Sequence, residues 1–413
     1  MAIVRPFKAI RPNKQFAEKI ISLPYDVMNR EEAAAMAKGN PYSFLHICRS
    51  EIDLPEEKDP YAEKVYERAR DNIRNFLEKK IFIEEAKPMF YLYRQYMGDA
   101  VQTGLVGCVS LDEYIQNKIK KHELTRKEKE EDRIKHFDIC SMNTEPVFLT
   151  YRDNKKIGTL IEGYISNNEP EYDVETSDGV RHKLWAIVDE NVISGLAGLF
   201  AEVPSLYIAD GHHRSASACK VGLKRRKENP GYTGEEEFNY FMAAIFPAGD
   251  LKIFDYNRVV RDLNGNTEEE FIQKIKDAGF SVKDMGNEKY EPEARHFFGM
   301  FMDGRWYRLK ADESMIPEDI IGALDVSVLQ ENILAPVLGI EDPRTDRRID
   351  FVGGIRGLSE LEKRAGSDMK VAFAMNPVDI KDLLNVADNG MVMPPKSTWF
   401  EPKLGSGLFM HRI

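Results

Sequence analysis

The sequence predicts a mixed α and β fold of the α+β class. Short apolar runs typical of strands and amphipathic runs typical of helices follow one another without a strict order. The chain has 413 residues, more than one ordinary domain holds, and 42% of them are hydrophobic, which is enough for a sizeable core. We therefore expect three regions: an N-terminal α/β region (1–114), a central core (115–246) and a C-terminal α/β region (247–413).

Composition restricts the class of protein. The formal net charge of −11 leaves no general basic surface for nucleic acid, so phosphates would need a local cluster of cations. The four cysteines are scattered without a CxxC pair, which argues against a zinc ribbon or a disulfide framework. Neither a signal peptide nor a run of 18 apolar residues is evident, so we expect a cytoplasmic protein without a membrane span. The sequence indicates no oligomeric state.

Element signals in the first half come in order. Asp59-Pro60 predicts the start of an amphipathic helix that runs to Lys80. Two strand-like runs, Met89–Tyr96 and Thr103–Leu111, flank a predicted hairpin turn. The following segment, residues 115–136, has helical propensity, and its charge run at 126–133 is interpreted mainly as a solvated helix face.

Element signals in the second half also alternate. Thr267 and Glu270 form a predicted capping box. The other signals, in order, are a strand at Pro146–Tyr151, a strand at Leu251–Val260, a hairpin at Met300–Leu309, a largely helical stretch at 316–339, a strand at Lys370–Met375 and a last helix from Asn376-Pro377 to Gly390.

The most informative stretch is residues 206–226. Its apolar start, residues 206–209, predicts a short buried strand, residues 210–211 a turn, and residues 214–226 a helix. Such a turn places backbone N–H groups and a helix dipole at one spot, where anions bind. Asp suits a divalent cation and Arg suits a phosphate, so a phosphoryl-transfer or nucleotide site is predicted; a simple helix cap with solvated neighbours is the alternative. The functional groups at this turn are Asp210, His212, His213 and Arg214.

The C-terminal tail is a second candidate anion-binding segment. Its two lysines and two hydroxyl groups could hold anionic oxygens, and nearby glycines let the backbone approach closely. It is not a P-loop, because the GxxxxGK[ST] spacing is missing. The alternative is a C-terminal strand pair with a polar connecting loop. The candidate residues are Lys396, Ser397, Thr398 and Lys403. Arg258, on or after the strand predicted from Leu251, is a further candidate phosphate contact; alternatively, it is a solvated arginine.

His122-Glu123 forms a third cluster. Arg126 stands where a zinc protease would have its second histidine, so a zincin is not indicated. A glutamate beside a histidine can serve as a general base. Alternatively, Glu123 is an ordinary surface residue.

Five segments carry a resemblance to a large family of uncharacterised proteins. The Asp-Gly-His-His-Arg turn is also similar to the signature of the ParB/sulfiredoxin superfamily, which includes free serine kinases that use a nucleotide or pyrophosphate. The resemblance covers nearly the whole chain. The segments are Pro24-Tyr-Asp-Val27, Asn40-Pro-Tyr-Ser-Phe-Leu45, His122-Glu123 with Thr125 and Asp132-Arg133, Ala209-Asp-Gly-His-His-Arg214, and Met393-Pro-Pro-Lys-Ser-Thr-Trp-Phe-Glu-Pro-Lys403.

The resemblance implies a ParB/sulfiredoxin-like catalytic core and a kinase that converts L-serine to O-phosphoserine. Glu123 would accept the hydroxyl proton, and Asp210 would hold Mg²⁺. His212, His213 and Arg214 would handle the donor phosphates. The tail residues and Arg258 are our own candidates for donor contacts. The long stretch between Glu123 and Asp210 is interpreted as an insertion. The alternatives are a nucleotide-dependent, DNA-associated protein and a non-enzymatic metabolite sensor.

Overall fold

A computed structural model describes residues 2–413. It divides into two compact units, of which the first comprises residues up to 251 together with 402–413, and the second comprises residues 252–401. The prediction of a mixed α and β class is confirmed. Of the predicted region boundaries, 114/115 falls inside the first unit and 246/247 lies close to the observed change of unit. In the described residues no helix combines the length and apolarity that crossing a membrane requires.

Strands and helices alternate along both units. The strands are β1 Val4–Arg5, β2 Ala9–Pro12, β3 Phe82–Glu84, β4 Phe90–Met97, β5 Ala100–Ser110, β6 Ile119–Lys120, β7 Met142–Asn143, β8 Val147–Tyr151, β9 Tyr172–Glu175, β10 Arg181–Ile187, β11 Leu206–Asp210, β12 Tyr240–Pro247, β13 Lys252–Phe254, β14 Tyr256–Val260, β15 Phe280–Gly286, β16 Phe297–Met302, β17 Arg305–Ala311, β18 Ile349–Gly353, β19 Val371–Ala374, β20 Trp399–Glu401 and β21 Met410–Arg412. The α-helices are α1 Ala17–Ile20, α2 Arg30–Ala37, α3 Leu45–Cys48, α4 Glu63–Glu78, α5 Leu111–Ile115, α6 Lys127–Cys140, α7 Lys155–Ser166, α8 Glu190–Ala201, α9 His212–Glu228, α10 Glu268–Asp277, α11 Asp325–Leu329, α12 Leu358–Ala365 and α13 Ile380–Asp388.

The main sheet of the first unit has the strand order β6-β11-β8-β12-β5-β4-β10-β9, and β1 pairs with β5. The predicted hairpin is confirmed as the antiparallel pair of β4 and β5. Gly104 and Gly107 in β5 leave room for aromatic rings, because a Cβ at either position would lie 2.8 Å from Phe246 or Phe90. The apolar strand β11 pairs with β6 at its amino end and with β8 along its length, so its carboxyl end at Asp210 is held by β8.

A smaller sheet brings the end of the chain back into the first unit. Its order is β3-β2-β21-β7, so β21 lies between two strands from early in the chain. The loop before β21 passes Phe44, where Gly407 has a φ of +92° and an added Cβ would lie 2.8 Å from the Phe44 Cβ. Phe44 belongs to the 40–45 segment, which therefore supports the returning tail.

The second unit contains a six-stranded sheet, in the order β15-β17-β16-β19-β14-β18, and the β13-β20 pair. The predicted hairpin at 300–309 is confirmed as β16 and β17. The capping box at the start of α10 is confirmed as well, since the Thr267 hydroxyl accepts the Glu270 N–H and the Glu270 carboxylate accepts the Thr267 N–H.

Three predicted helical segments differ in extent in the first unit. The helix expected from Asp59 begins at Glu63, because the Asp59 carboxylate accepts the N–H of Tyr61 and forms a turn. The helix expected from Arg214 begins two residues earlier, at His212. Of the segment 115–136, Ile115 ends α5, and the rest is α-helical only from Lys127, in a helix that continues to Cys140.

The second unit is less helical than predicted. In 316–339 the α-helix is limited to Asp325–Leu329, followed by a π-helical turn at Gln330–Leu334, and Pro336 cannot donate the N–H that a longer helix needs. The last helix begins at Ile380 and not at Asn376-Pro377, because Asp379 supplies the cap by accepting the N–H of Lys381.

The charge run at 126–133 is a solvated face only in part, since Arg126, Lys127, Glu128 and Glu131 are exposed. Glu130, Asp132 and Arg133 are buried on α6. The Tyr66 hydroxyl donates to Asp132 at 2.9 Å, and the Ser217 hydroxyl donates to the carbonyl of Glu130 at 3.0 Å. These partners come from α4 and α9, so α6 is covered from two sides by helices distant in sequence.

Candidate functional site

The site is built at the junction of β11 and α9. Gly211 adopts a left-handed conformation with a φ of +94° and caps α9, and its carbonyl accepts the N–H of Ser215 at 2.9 Å. A Cβ at this position would lie 2.9 Å from the Arg214 Nε atom, so both backbone conformation and space require glycine. Asp210 and His212 therefore flank a tight turn at the positive end of a long helix, as predicted from sequence.

Asp210 is an ionised carboxylate between two cations. Its Oδ1 atom accepts the Gly211 N–H at 2.8 Å. Its Oδ2 atom lies 3.5 Å from Lys403 Nζ and 3.6 Å from Arg214 Nη2. Burial alone would raise the pKa of Asp210, but Lys403, Arg214 and the Gly211 N–H hold it well below its usual range. Asp210 consequently fixes the positions of both cations.

Arg214 is buried beneath the turn. Its Nη1 atom donates to the carbonyl of Pro146 at 2.5 Å, and its Nε atom has no hydrogen-bond partner. Burial opposes the charge, yet Asp210, Asp26 and Glu145 raise the pKa of the guanidinium above its ordinary value. The result is a permanent positive charge at a low-dielectric position, where its interaction with an anion is strong.

Lys403 is held in place by side chains of the main sheet. The Gln95 amide donates to the Lys403 carbonyl at 2.7 Å, and the Gln102 amide donates to the carbonyl of Pro402 at 3.2 Å. The Gly405 N–H donates to the Tyr93 hydroxyl at 3.1 Å. Because these partners lie on β4 and β5, the tail delivers its lysine to Asp210 from a fixed backbone.

Glu123 lies beside His212 in the loop between β6 and α6. The Glu123 Oε2 atom is 3.7 Å from His212 Nδ1, and its side chain is 47% exposed. His212 Nε2 accepts the backbone N–H of His122 at 3.5 Å, so the proton of the neutral ring is on Nδ1, facing the carboxylate. Burial, followed by the proximity of His122, lowers the pKa of His212 well below its usual range. Glu123 therefore faces solvent beside a neutral imidazole.

His213 is the second imidazole of the site. Its Nε2 atom accepts the backbone N–H of Arg126 at 3.0 Å, which leaves Nδ1 as the protonated nitrogen. Burial and the charge of Arg126 lower the pKa of His213, so it is neutral at pH 7. A neutral imidazole can donate one hydrogen bond, and it adds no positive charge to the site.

Sequence reasoning assigned no role to Tyr25, Asp26 and Glu145, which act on the charge of Arg214, or to Arg133, which contacts Tyr25. The Arg133 guanidinium lies 4.1 Å from the Tyr25 ring centroid and pairs with Asp132 at 2.9 Å. Glu145 is buried and accepts a hydrogen bond from the Ser406 hydroxyl, and burial raises its pKa against the opposing effect of Arg214. Residues 24–27 and 132–133 lie in segments that carry the family resemblance, and this resemblance was the sequence signal by which they could have been found. Glu145 had no sequence signal beyond its place before a buried strand.

The remaining candidates lie in the second unit. Arg258 Nη2 donates to the carbonyl of Lys396 at 3.1 Å, and the Ser397 hydroxyl donates to the carbonyl of Pro394 at 2.6 Å. Thr398 precedes β20. Their predicted role as donor contacts stays a prediction. The tail does not form a strand pair with itself, because β20 pairs with β13 and β21 pairs with β2 and β7.

The described residues contain no group of three or more His, Cys, Asp or Glu side chains placed to hold a metal ion. Asp210 offers a single carboxylate. Mg²⁺ in phosphoryl-transfer sites is commonly held by one or two carboxylates together with substrate phosphates and water. The residues present thus fit a Mg²⁺ ion that arrives with a phosphate donor.

Comparisons with known proteins give one family and several distant structures. The family model described as "Protein of unknown function (DUF1015)" matches residues 4–327. No curated protein sequence matches the chain significantly. Among solved structures, a free serine kinase in complex with AMP is 14% identical and aligns over 73% of this chain and 91% of its own, with a TM-score of 0.35. A conserved hypothetical protein from Pyrococcus furiosus is 15% identical, with 73% and 94% coverage and a TM-score of 0.35. Truncated SbnI from Staphylococcus aureus is 13% identical, with 73% and 85% coverage and a TM-score of 0.39.

Proposed function

The chain belongs to the DUF1015 family, and we propose that it transfers a phosphoryl group from pyrophosphate or a nucleotide to free L-serine, giving O-phosphoserine. One observation carries the proposal. Segments 122–126 and 210–214 and residue 403, far apart in sequence, meet at the start of α9, where half-exposed Glu123 lies beside His212 and two cations flank Asp210. Phosphoryl transfer depends on such positioning and charge neutralisation more than on covalent chemistry.

Glu123 is the proposed general base. It would accept the proton of the serine hydroxyl as the hydroxyl oxygen attacks the terminal phosphorus of the donor. The half-exposed position beside the His212 Nδ1–H suits this role, because the acceptor can reach the carboxylate while the neutral imidazole holds it in place. The resemblance to free serine kinases supports serine as the acceptor.

The donor would bind at the start of α9. Arg214 and Lys403 would neutralise the charge of the donor phosphates, His213 would donate from Nδ1, and the N–H groups of the first helical turn would add further donors. As the new P–O bond forms, the bond to the leaving phosphate breaks, and the leaving group departs as orthophosphate from pyrophosphate. These groups all recognise phosphate oxygens, which favours pyrophosphate over a nucleotide.

Asp210 would keep Arg214 and Lys403 aligned and would supply one carboxylate ligand to Mg²⁺. Bound Mg²⁺ would add charge neutralisation at the phosphate oxygens. Since Asp210 already pairs with two cations, we expect the metal to bind weakly without the donor. The order of binding would then be a donor with its metal, followed by the acceptor.

A product assay tests the proposal. The purified full chain would be incubated with L-serine and Mg²⁺, and with pyrophosphate, ATP or ADP in separate reactions, while ³¹P NMR follows the products. We expect an O-phosphoserine signal with at least one donor and no phosphomonoester when L-alanine replaces serine, because alanine has no hydroxyl group. Absence of O-phosphoserine with every donor would overturn the proposal.

A further inference from the structure

A cavity of about 350 Å³ lies within the second unit, built entirely from residues 258–395. Arg258 on β14 and Phe351 on β18 form one wall. Ser327 on α11 and Gln330 in the π-helical turn form another, and Pro394 closes a third side. The volume is that of a site for a small metabolite.

Arg258 brings an uncompensated positive charge to this cavity. Its side chain is buried, with only 3% of the residue exposed. It donates to two carbonyl groups, those of Tyr256 and Lys396, and its guanidinium lies 5.5 Å from the Phe351 ring centroid. Among the described residues no carboxylate pairs with it, and burial lowers its pKa to about 10. Burying an arginine without a carboxylate partner costs free energy, unless an anion binds to the guanidinium group.

A second unsatisfied group lies in the wall formed by α11 and the π-helical turn. The Gln330 amide nitrogen donates to the Ile340 carbonyl at 2.7 Å, but its buried Oε1 atom has no donor. Glu331, Glu341 and Asp342 also line the cavity and make it favourable for a positively charged donor. Asp342 is already paired with Arg344 at 2.9 Å. The cavity thus combines a site for an anion with a site for a cationic hydrogen-bond donor.

We propose that this cavity binds a small α-amino acid, with its carboxylate on Arg258 and its ammonium group toward Gln330 and the acidic wall. Apolar neighbours such as Phe351 and Pro394 would contact the side chain of the ligand. The site gives Arg258 a role other than the donor-phosphate contact predicted from sequence. The inference is independent of the kinase proposal, since it rests on residues of the second unit alone.

Calorimetric titration of the full chain with L-alanine tests the site, because alanine carries both charged groups but cannot accept a phosphoryl group. We expect binding that weakens at least about tenfold in Arg258→Gln, since one charge-assisted hydrogen bond is removed. Gln330→Leu should weaken it as well. Propionate and propylamine, which each carry one of the two groups, should bind at least about tenfold more weakly than alanine. Arg261→Gln is the matched control, because Arg261 is exposed and lies outside the cavity.

Two results of the binding experiments would overturn the proposal. One is alanine binding that is unchanged in Arg258→Gln. The other is that inorganic phosphate or pyrophosphate binds in an Arg258-dependent manner while alanine does not bind. Arg258 would then have a phosphate-binding role. Should Arg258→Gln fail to fold, Ser327→Leu provides the same test by filling the cavity. Crystals soaked in L-alanine locate the ligand directly: density against Arg258 supports the site, and its absence at saturating alanine contradicts it.

Discussion

Replacing Glu123 by glutamine tests the role of its carboxylate in catalysis without disturbing the fold. The substitution keeps the shape of the side chain and its contact with His212 but removes the capacity to accept a proton. If Glu123 is the general base, turnover should fall by about 10²- to 10⁴-fold, the range that general-base catalysis contributes. In free energy this is about 3–5 kcal/mol of the activation barrier.

The same substitution should hardly change stability. The side chain is 47% exposed, and its partner His212, 3.7 Å away, is a neutral imidazole. Because Glu123 is half-exposed and His212 is uncharged, this pair contributes at most about 1 kcal/mol to the free energy of unfolding. Donor binding should also persist, because Arg214 and Lys403 are unchanged. The predicted signature is therefore a large fall in kcat with a donor KM within about threefold of the wild-type value.

The assay is steady-state formation of O-phosphoserine, paired with urea denaturation of both variants. Glu128→Gln is the matched control, since Glu128 is an exposed glutamate in the first turn of α6. It should retain full turnover. Turnover of Glu123→Gln equal to that of this control would refute the assignment of Glu123 as the base.

Three further predictions concern the support of the site. Lys403→Met should raise the donor KM by about 10- to 100-fold, because a charged hydrogen bond is lost; an unchanged KM in the product assay would remove Lys403 from the donor site. Gly407→Ala should lower the free energy of unfolding by about 2–5 kcal/mol, since alanine is strained at a φ of +92° and its Cβ would lie 2.8 Å from the Phe44 Cβ. Unfolding of the variant at the same urea concentration as the wild type would contradict this packing. Burial lowers the pKa of His182 to about 4, below its value in the unfolded chain, so its contribution to stability is present above pH 6.5 and is lost as the pH falls toward 4. The difference in unfolding free energy between wild type and His182→Gln should thus change by about 2 kcal/mol between pH 7 and pH 5, and denaturation curves that shift in parallel would argue against it.

Local sequence signals predicted the centre of the site well. The apolar run ending at Asp210, followed by Gly211, determines a strand, a left-handed turn and a helix start within a few residues. The hairpin between β4 and β5 and the capping box at Thr267 were predictable for the same reason. In each case the side chains that decide the conformation are neighbours in sequence.

Features that depend on distant partners were not predictable. Three charges of α6, those of Glu130, Asp132 and Arg133, were predicted to be solvated but are buried, because partners such as Tyr66 and Lys220 are far away in sequence. Lys403 joins Asp210 because β21 pairs with β2, a contact between the two ends of the chain. The tail motif appeared to be one segment, yet the boundary between the two units falls within it, between 401 and 402.

A crystal structure of Glu123→Gln with L-serine, Mg²⁺ and pyrophosphate tests the central claim most directly. We predict donor phosphate oxygens within hydrogen-bond distance of Arg214 or Lys403 and of the first turn of α9, with the serine hydroxyl directed at residue 123. Donor density at another surface, with the groups around Asp210 making no contact to it, would contradict the account.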